Sequence, residues 1–290
     1  MQISIVTFVV LLASMLCAAS VNGALGYGFS SVVVPISLTV VASRVLNPVL
    51  VLLEVVLNIS ALVLHRRHVP AVWRRVWPII VGLLPGVAVG GFLFGVISAH
   101  VLKVSTYLVI LPMVALQSFA LRWPVRSERR WGVPFGLGLG VLYSTTTVSG
   151  PPLAVYFTNL GLVQEEFRAA LAMVRVCEAV STLCAYAVVG ALTMQSAELA
   201  AIFLPVVILG LVAGRRLIRR LDRQLFSRIC MRVDAVLVTV GLALTTSAAG
   251  WLPAPAAWAA AVAFALALHV LAAGRARRRT LGVAASGAAA

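Results

Sequence analysis

Apolar residues fill the chain in blocks of roughly twenty, about the length a helix needs to cross ~30 Å of hydrocarbon, and short polar or basic intervals separate them. The blocks fall at residues 3–22, 29–43, 46–64, 76–97, 101–121, 131–147, 151–163, 166–189, 196–214, 228–248 and 256–273. They do not alternate apolar and polar positions as the strands of a membrane barrel do. The pattern predicts an all-α polytopic membrane protein with about nine spanning helices and two segments, 29–43 and 151–163, too short to span comfortably. Each short segment follows a helix and a glycine break, Gly23, Gly26 and Gly28 in the first case and Gly150 in the second. Both are expected to be broken or re-entrant elements in corresponding places. No positive charge precedes the first block and the residues before Cys17 make a poor lipoprotein site, so it reads as a helix rather than a leader.

Two stretches repeat at a fixed distance. LPGVAVGGFLFGVISAHVLK, around Gly86 and Gly90, resembles ILGLVAGRRLIRRLDRQLFS, around Gly210 and Gly214, at an offset of 124 residues. The expected organisation is a first membrane repeat at 1–125, a second at 126–250, an added C-terminal transmembrane helix at 251–274 and a basic tail at 275–290. Pro35 and the Pro151-Pro152 pair are expected at similar positions in the two halves. Charge sets the relative orientation. The basic interval of the first half, 65–75, follows its third segment, whereas that of the second, 215–223, follows its fourth. If basic loops are cytoplasmic, the halves are inverted, and the clusters at 65–75, 122–130, 165–168, 215–223 and 275–279 all lie inside. Arg66, Arg126, Arg219 and Arg277 then face the cytoplasm, while Arg44, Lys103 and Glu198 face out.

Composition agrees and removes alternatives. With 62% hydrophobic residues among 290 and a mean hydropathy of +1.07, the chain is too apolar for a soluble core. Its formal charge of +15 is distributed in short clusters between apolar runs, which reads as topology signal and not as a nucleic-acid surface. Arg makes up all but one of the 23 basic residues, a bias of GC-rich bacterial genomes rather than a sign of phosphate binding. Cys17, Cys177, Cys184 and Cys230 form no metal or redox spacing and read as packing residues. His65, His68, His100 and His269 form no His-Glu-x-x-His pattern, and no GxSxG elbow, P-loop or dinucleotide motif is present; Gly136, Gly138 and Gly140 lie within an apolar block. No enzyme, cofactor or metal site is expected.

Chemistry concentrates at residues 144–161, STTTVSGPPLAVYFTNLG. Proline removes backbone donors and glycine loosens the helix, so a membrane segment carrying both leaves peptide groups to be satisfied elsewhere. Two readings are open. The stretch is a broken helix whose hydroxyls bond back to their own carbonyls, or it lines a polar cavity and touches substrate. Ionisable groups inside apolar blocks are few: Glu54, Arg175, Glu178 and, nearer an end, Arg232 and Asp234. A charge at mid-bilayer costs ~3 kcal/mol or more, so such groups face a cavity or a partner. Arg175 is close to the midplane; Glu178 is one turn on and within reach of it, and Asn58 shares a helix face with Glu54. The helices that carry Glu54 and Arg175 are equivalents under the repeat and should flank the central cavity, so these two side chains are expected to pair across it.

The glycine-punctuated GALGYGFSSVVVP (23–35), the SGPPLAVYFTNLG (149–161) followed by FRAALAMVRVCEAVSTLCAYAVVGALT (167–193), and LGLVAGRRLIRRL (209–221) together resemble the TauE/SafE family of sulfite and organosulfur anion permeases. The likeness covers roughly residues 5–250. The first-half cluster reads Gly26-Tyr27-Gly28-Phe29-Ser30-Ser31 where the family carries a GxGGG run. The resemblance implies a bacterial inner-membrane carrier of small anions. Taken with the residues, it gives a secondary transporter for sulfite, an organosulfonate or a carboxylate-like anion, coupled to protons, with lipid and a small anion as its partners. Expected substrate contacts are Ser30, Ser31, Ser144, Thr145, Thr146, Thr147, Ser149, Gly150 and Arg175; expected proton-coupling residues are Glu54, Glu178 and Asn58. An anion channel would share the lining, and an intramembrane enzyme has no visible motif.

Overall fold

The computed structural model describes residues 4–119 and 128–217 and scattered positions between 243 and 263; at 110–119 and 128–130 it describes the backbone alone. Arg126, Arg219, Arg232, Asp234, Cys230, Arg277 and most of the blocks at 228–248 and 256–273 lie outside the described residues. Nine α-helices follow in order among them: α1 (Ile5–Leu25), α2 (Phe29–Ser37), α3 (Ser43–His65), α4 (Val69–Val96), α5 (Ala99–Phe119), α6 (Glu128–Thr146), α7 (Gly150–Asn159), α8 (Gln164–Val188) and α9 (Met194–Leu217). No strand occurs among the described residues. Four stretches are long and apolar enough to cross a membrane: Ile5–Leu25, Ser43–Val96, Gln164–Val188 and Met194–Leu217. The protein is therefore an all-helical membrane protein.

Local chemistry explains the boundaries. Ser4 caps α1 by accepting from the Thr7 amide, and Gly26 ends it in a left-handed conformation (φ 87°) with its N–H on the Asn22 carbonyl. The basic interval expected over 65–75 is shorter than the hydropathy implies. Only a 3₁₀ turn, Arg66–His68, separates α3 from α4, because Pro70 suits the first turn of a helix and Arg74 and Arg75 continue it. The short elements are shorter than expected too: α2 ends at Ser37 and α7 at Asn159. Their prolines do not correspond. Pro35 sits inside α2, whereas Pro151 and Pro152 occupy the first turn of α7.

Two helix pairs are packed backbone to backbone through glycine. Between α4 and α6, a Cβ on Gly136 would fall 2.0 Å from the Ile79 carbonyl oxygen, and one on Gly86 would fall 2.2 Å from that of Leu137. Between α1 and α9, a Cβ on Gly214 would fall 1.9 Å from the Ser20 oxygen, and one on Gly23 would fall 2.3 Å from that of Leu211. Such approach is the use that membrane helices make of small residues, since lipid supplies no hydrophobic drive to associate.

Helix ends sort into two faces. The His65 ring bonds Glu165 at 3.0 Å, joining the end of α3 to the start of α8, and Arg215 at the end of α9 lines the same cavity as His65. At the other face, Arg44 donates to the carbonyls of Gly95 and Ile97 at 3.1 and 2.7 Å, joining the start of α3 to the end of α4. The side chain of Val189, after α8, lies beside Gly95 on this face. Helices α3 and α8 thus run antiparallel at the centre of the molecule.

Candidate functional site

The two breaks meet. Gly28 (φ 99°) precedes α2, Ser149 precedes α7, and neither helix start has a side-chain cap. A Cβ on Gly150 would lie 3.5 Å from the Gly28 amide nitrogen, so the two helix starts abut. First-turn N–H groups have no partner within their own helix, and in α7 the two prolines remove donors altogether. Thr147 holds φ 59° at the end of α6, which is strained for a β-branched residue at a cost of ~1–3 kcal/mol. Partners from other helices take the carbonyls released at this break. Asn47 donates to the Thr145 oxygen at 2.9 Å and the Tyr186 hydroxyl donates to the Ser144 oxygen at 2.6 Å.

The hydroxyl run turns inward on its own helix. Ser144 donates to Gly140 at 2.7 Å, Thr145 to Val141 at 2.8 Å, Thr146 to Leu142 at 2.8 Å and Thr147 to the Thr146 carbonyl at 2.7 Å. This is the back-bonded arrangement common for Ser and Thr in packed helices. Ser149 differs. Its hydroxyl donates to Glu178 Oε2 at 2.6 Å.

Beside the breaks lies a buried charge cluster. Arg175 of α8 is 2% exposed, and Glu54 of α3 and Glu178 of α8 are fully buried. Arg175 Nη2 donates to Glu54 Oε1 at 2.8 Å, and the Tyr143 hydroxyl of α6 donates to Glu54 Oε2 at 2.6 Å. Asn58 Nδ2, one turn beyond Glu54, donates to the Arg175 carbonyl at 3.3 Å. Sequence proximity favours Glu178 as the counter-ion of Arg175. The cross-helix partner takes that role instead, because Glu178 is engaged by Ser149 while Glu54 presents an oxygen across the α3–α8 interface. Arg175 keeps Nε and Nη1 without partners, and Glu178 keeps Oε1 without one. Leaving charged donors unsatisfied in a buried place is expensive, which makes this cluster the candidate site.

Arg175 also forms the deep end of a cavity of about 400 Å³ between α1, α3, α8 and α9. Its lining follows helical stripes: Gln164, Arg168, Ala172 and Arg175 on α8, and Leu57, Asn58, Ala61, Leu64 and His65 on α3. Asn22 and Gly23 of α1, Gly26 at its end, and Leu211 and Arg215 of α9 close the other sides. Of the expected site residues, Arg175 and Asn58 line this cavity. Ser30, Ser31, Ser144, Thr146, Thr147, Ser149 and Gly150 are buried at the breaks and are not part of its wall.

Tyr143, Asn47 and Tyr186 bond into this region and Arg168 and Arg215 line the cavity, positions that their sequence context does not reveal. One sequence signal was strong enough to find more. The offset of 124 residues that aligns Gly86 with Gly210 also aligns Glu54 with Glu178 and Asn58 with Thr182. The two buried carboxylates thus stand at the same offset as the repeated glycines, and each receives a hydroxyl, Glu54 from Tyr143 and Glu178 from Ser149.

Fold and site define a helical membrane protein that holds an ion pair at the deep end of a polar-mouthed cavity, the arrangement of a membrane transport protein. The family model described as Sulfite exporter TauE/SafE matches residues 11–244. The chain belongs to the TauE/SafE sulfite exporter family, a family of membrane transporters of sulfite and related anions. Neither the curated proteins nor the solved structures include a match to it.

Proposed function

We propose that the protein is a secondary transporter of the bacterial inner membrane that moves a small anion, sulfite, an organosulfonate or a carboxylate of similar size, coupled to protons. The observation that carries this reading is Arg175: buried, at the deep end of a cavity, with Nη2 held by Glu54 and with Nε and Nη1 free. Each of those free donors can give a charge-assisted hydrogen bond to an oxygen of a sulfonate, sulfite or carboxylate group, and release of Nη2 from Glu54 would complete the side-on Nε/Nη2 fork that a guanidinium favours.

Coupling follows from charge balance. In the empty carrier Glu54 neutralises Arg175. An incoming anion competes for the guanidinium, and Glu54, left as an uncompensated buried carboxylate, takes up a proton that its bond to Tyr143 can accommodate. Anion and proton then occupy the centre together, Glu178 with Ser149 being the corresponding carboxyl of the other half. Ser30, Ser31, Ser149 and Gly150, at the abutting helix starts, supply the neutral donors and positive helix ends beyond Arg175. The hydroxyls of Ser144, Thr145, Thr146 and Thr147 become available only if the break rearranges. Two inverted halves of five elements fit the chemistry, since they would let the cavity open to either face in turn. The α1–α9 and α4–α6 pairings, each joining one half to the other, support that arrangement.

The test is a flux screen in proteoliposomes with sulfite, sulfoacetate, taurine, thiosulfate and short carboxylates. At least one should show saturable, pH-gradient-driven uptake. Arg175→Gln should lower it by about tenfold or more, the equivalent of one lost charged hydrogen bond. Non-saturating flux would favour a channel. Full activity of Arg175→Gln would remove the proposed site.

A further inference from the structure

Two guanidinium groups at the mouth of the cavity have no counter-ion among the described residues. Arg168 and Arg215 both line it, and among the described residues neither forms an ion pair. Both are only partly exposed, and Arg168 Nε is buried without a hydrogen-bond partner. They are close enough to each other and to His65 to interact electrostatically. Nearby Glu165 is already bonded to His65. Asn22 lines the same wall, where its amide Nδ2 is the group able to donate to an anion. Arg168 and Arg175 are seven residues apart on one face of α8, which separates them by about 10 Å at ~1.5 Å per residue. Arg168 and Arg175 therefore stand at different depths of the cavity wall.

We propose that Arg168 and Arg215, with Asn22, form a second anion site at the mouth of the cavity, which takes a small sulfonate, sulfite or carboxylate and passes it to Arg175. The proposal rests on the transport reading for its purpose but not for its geometry. Two like charges held together in a low-dielectric mouth repel until an anion joins them, and such a cleft concentrates anions at its entrance. The apolar wall between the two sites, Leu57, Ala61, Ala172 and Leu211, leaves room for a short organic tail behind an anionic head.

Accessibility of a reporter cysteine tests this without relying on flux. In protein with Cys17, Cys177, Cys184 and Cys230 replaced, Ala61→Cys places a thiol on the wall between the two sites. Its modification rates by the anionic sulfonatoethyl and cationic trimethylammonioethyl methanethiosulfonates are compared. The anionic reagent should be favoured about tenfold, within the range that a charged cleft produces. That preference should vanish in R168Q/R215Q and persist in R168K/R215K, and sulfoacetate should slow the reaction only where the charges remain. Equal preference in the charged and neutral variants, or equal protection by sulfoacetate in both, would overturn the mouth site. Flux on the same variants separates this from the transport reading. A raised KM with kcat kept supports the mouth site, an unchanged KM counts against it alone, and absence of any anion flux in the unsubstituted protein counts against transport alone.

Discussion

Arg175 and Glu54 are each buried to a degree that forbids a lone charge, so their 2.8 Å bond is held in place by the cost of breaking it as much as by its own strength. Removing one partner leaves the other unpaired in a low-dielectric centre. Glu54→Gln or Arg175→Gln alone should each lower stability by about 3–5 kcal/mol, and the double variant should lose clearly less than the sum. Denaturation of the four proteins in detergent checks this, and strict additivity would show the two groups to be energetically independent. Both charges were legible in the sequence because ionisable groups stand out in an apolar block, and their pairing followed from the repeat. Tyr143 was not legible, since an aromatic side chain in a membrane helix looks the same whether or not its hydroxyl grips a carboxylate. The threonines at 145–147 were misleading for a related reason: Ser and Thr satisfy their own helix as readily as they line a cavity.

At the scale of elements, glycine decides which helices touch. Gly136, Gly138 and Gly140 form one GxGxG run on α6, yet only alternate members face α4. A Cβ on Gly136 or Gly140 would fall 2.0 or 2.4 Å from a carbonyl oxygen of α4, whereas one on Gly138 meets nothing within 4 Å. Gly136→Ala and Gly140→Ala should therefore each destabilise by about 1–3 kcal/mol, as overpacking does. Gly138→Ala should be neutral or stabilising by up to about 1 kcal/mol, because alanine suits a helix better. Thermal melts of the three variants check the ranking, and a destabilising Gly138→Ala would contradict the assigned interface. The sequence placed these glycines within an apolar block but not against a partner, because spacing along one helix does not say which neighbour fills the groove. The short elements were legible as breaks from their glycines and prolines. Their ends were not, since hydropathy runs on through the turn at 38–42 and through the residues after Asn159.

Across the whole molecule, charge and packing agree on which ends belong together. Arg66, Glu165, Arg168 and Arg215 lie toward one face, and Arg44, Lys103 and Glu198 toward the other, as the distribution of basic intervals implies. The cavity opens on the basic face and ends at the ion pair, so the proposed cycle begins with an anion drawn in by Arg168 and Arg215. It turns on whether Arg175 is shared in alternation between that anion and Glu54. The most direct measurement records anion and proton movement together in proteoliposomes containing the unsubstituted protein or Glu54→Gln, with the anion that the flux screen identifies. The unsubstituted protein should move protons with the anion in a fixed ratio, and Glu54→Gln should still exchange anion for anion while moving no protons and losing its dependence on pH. Proton movement in Glu54→Gln at the unsubstituted ratio would contradict the account.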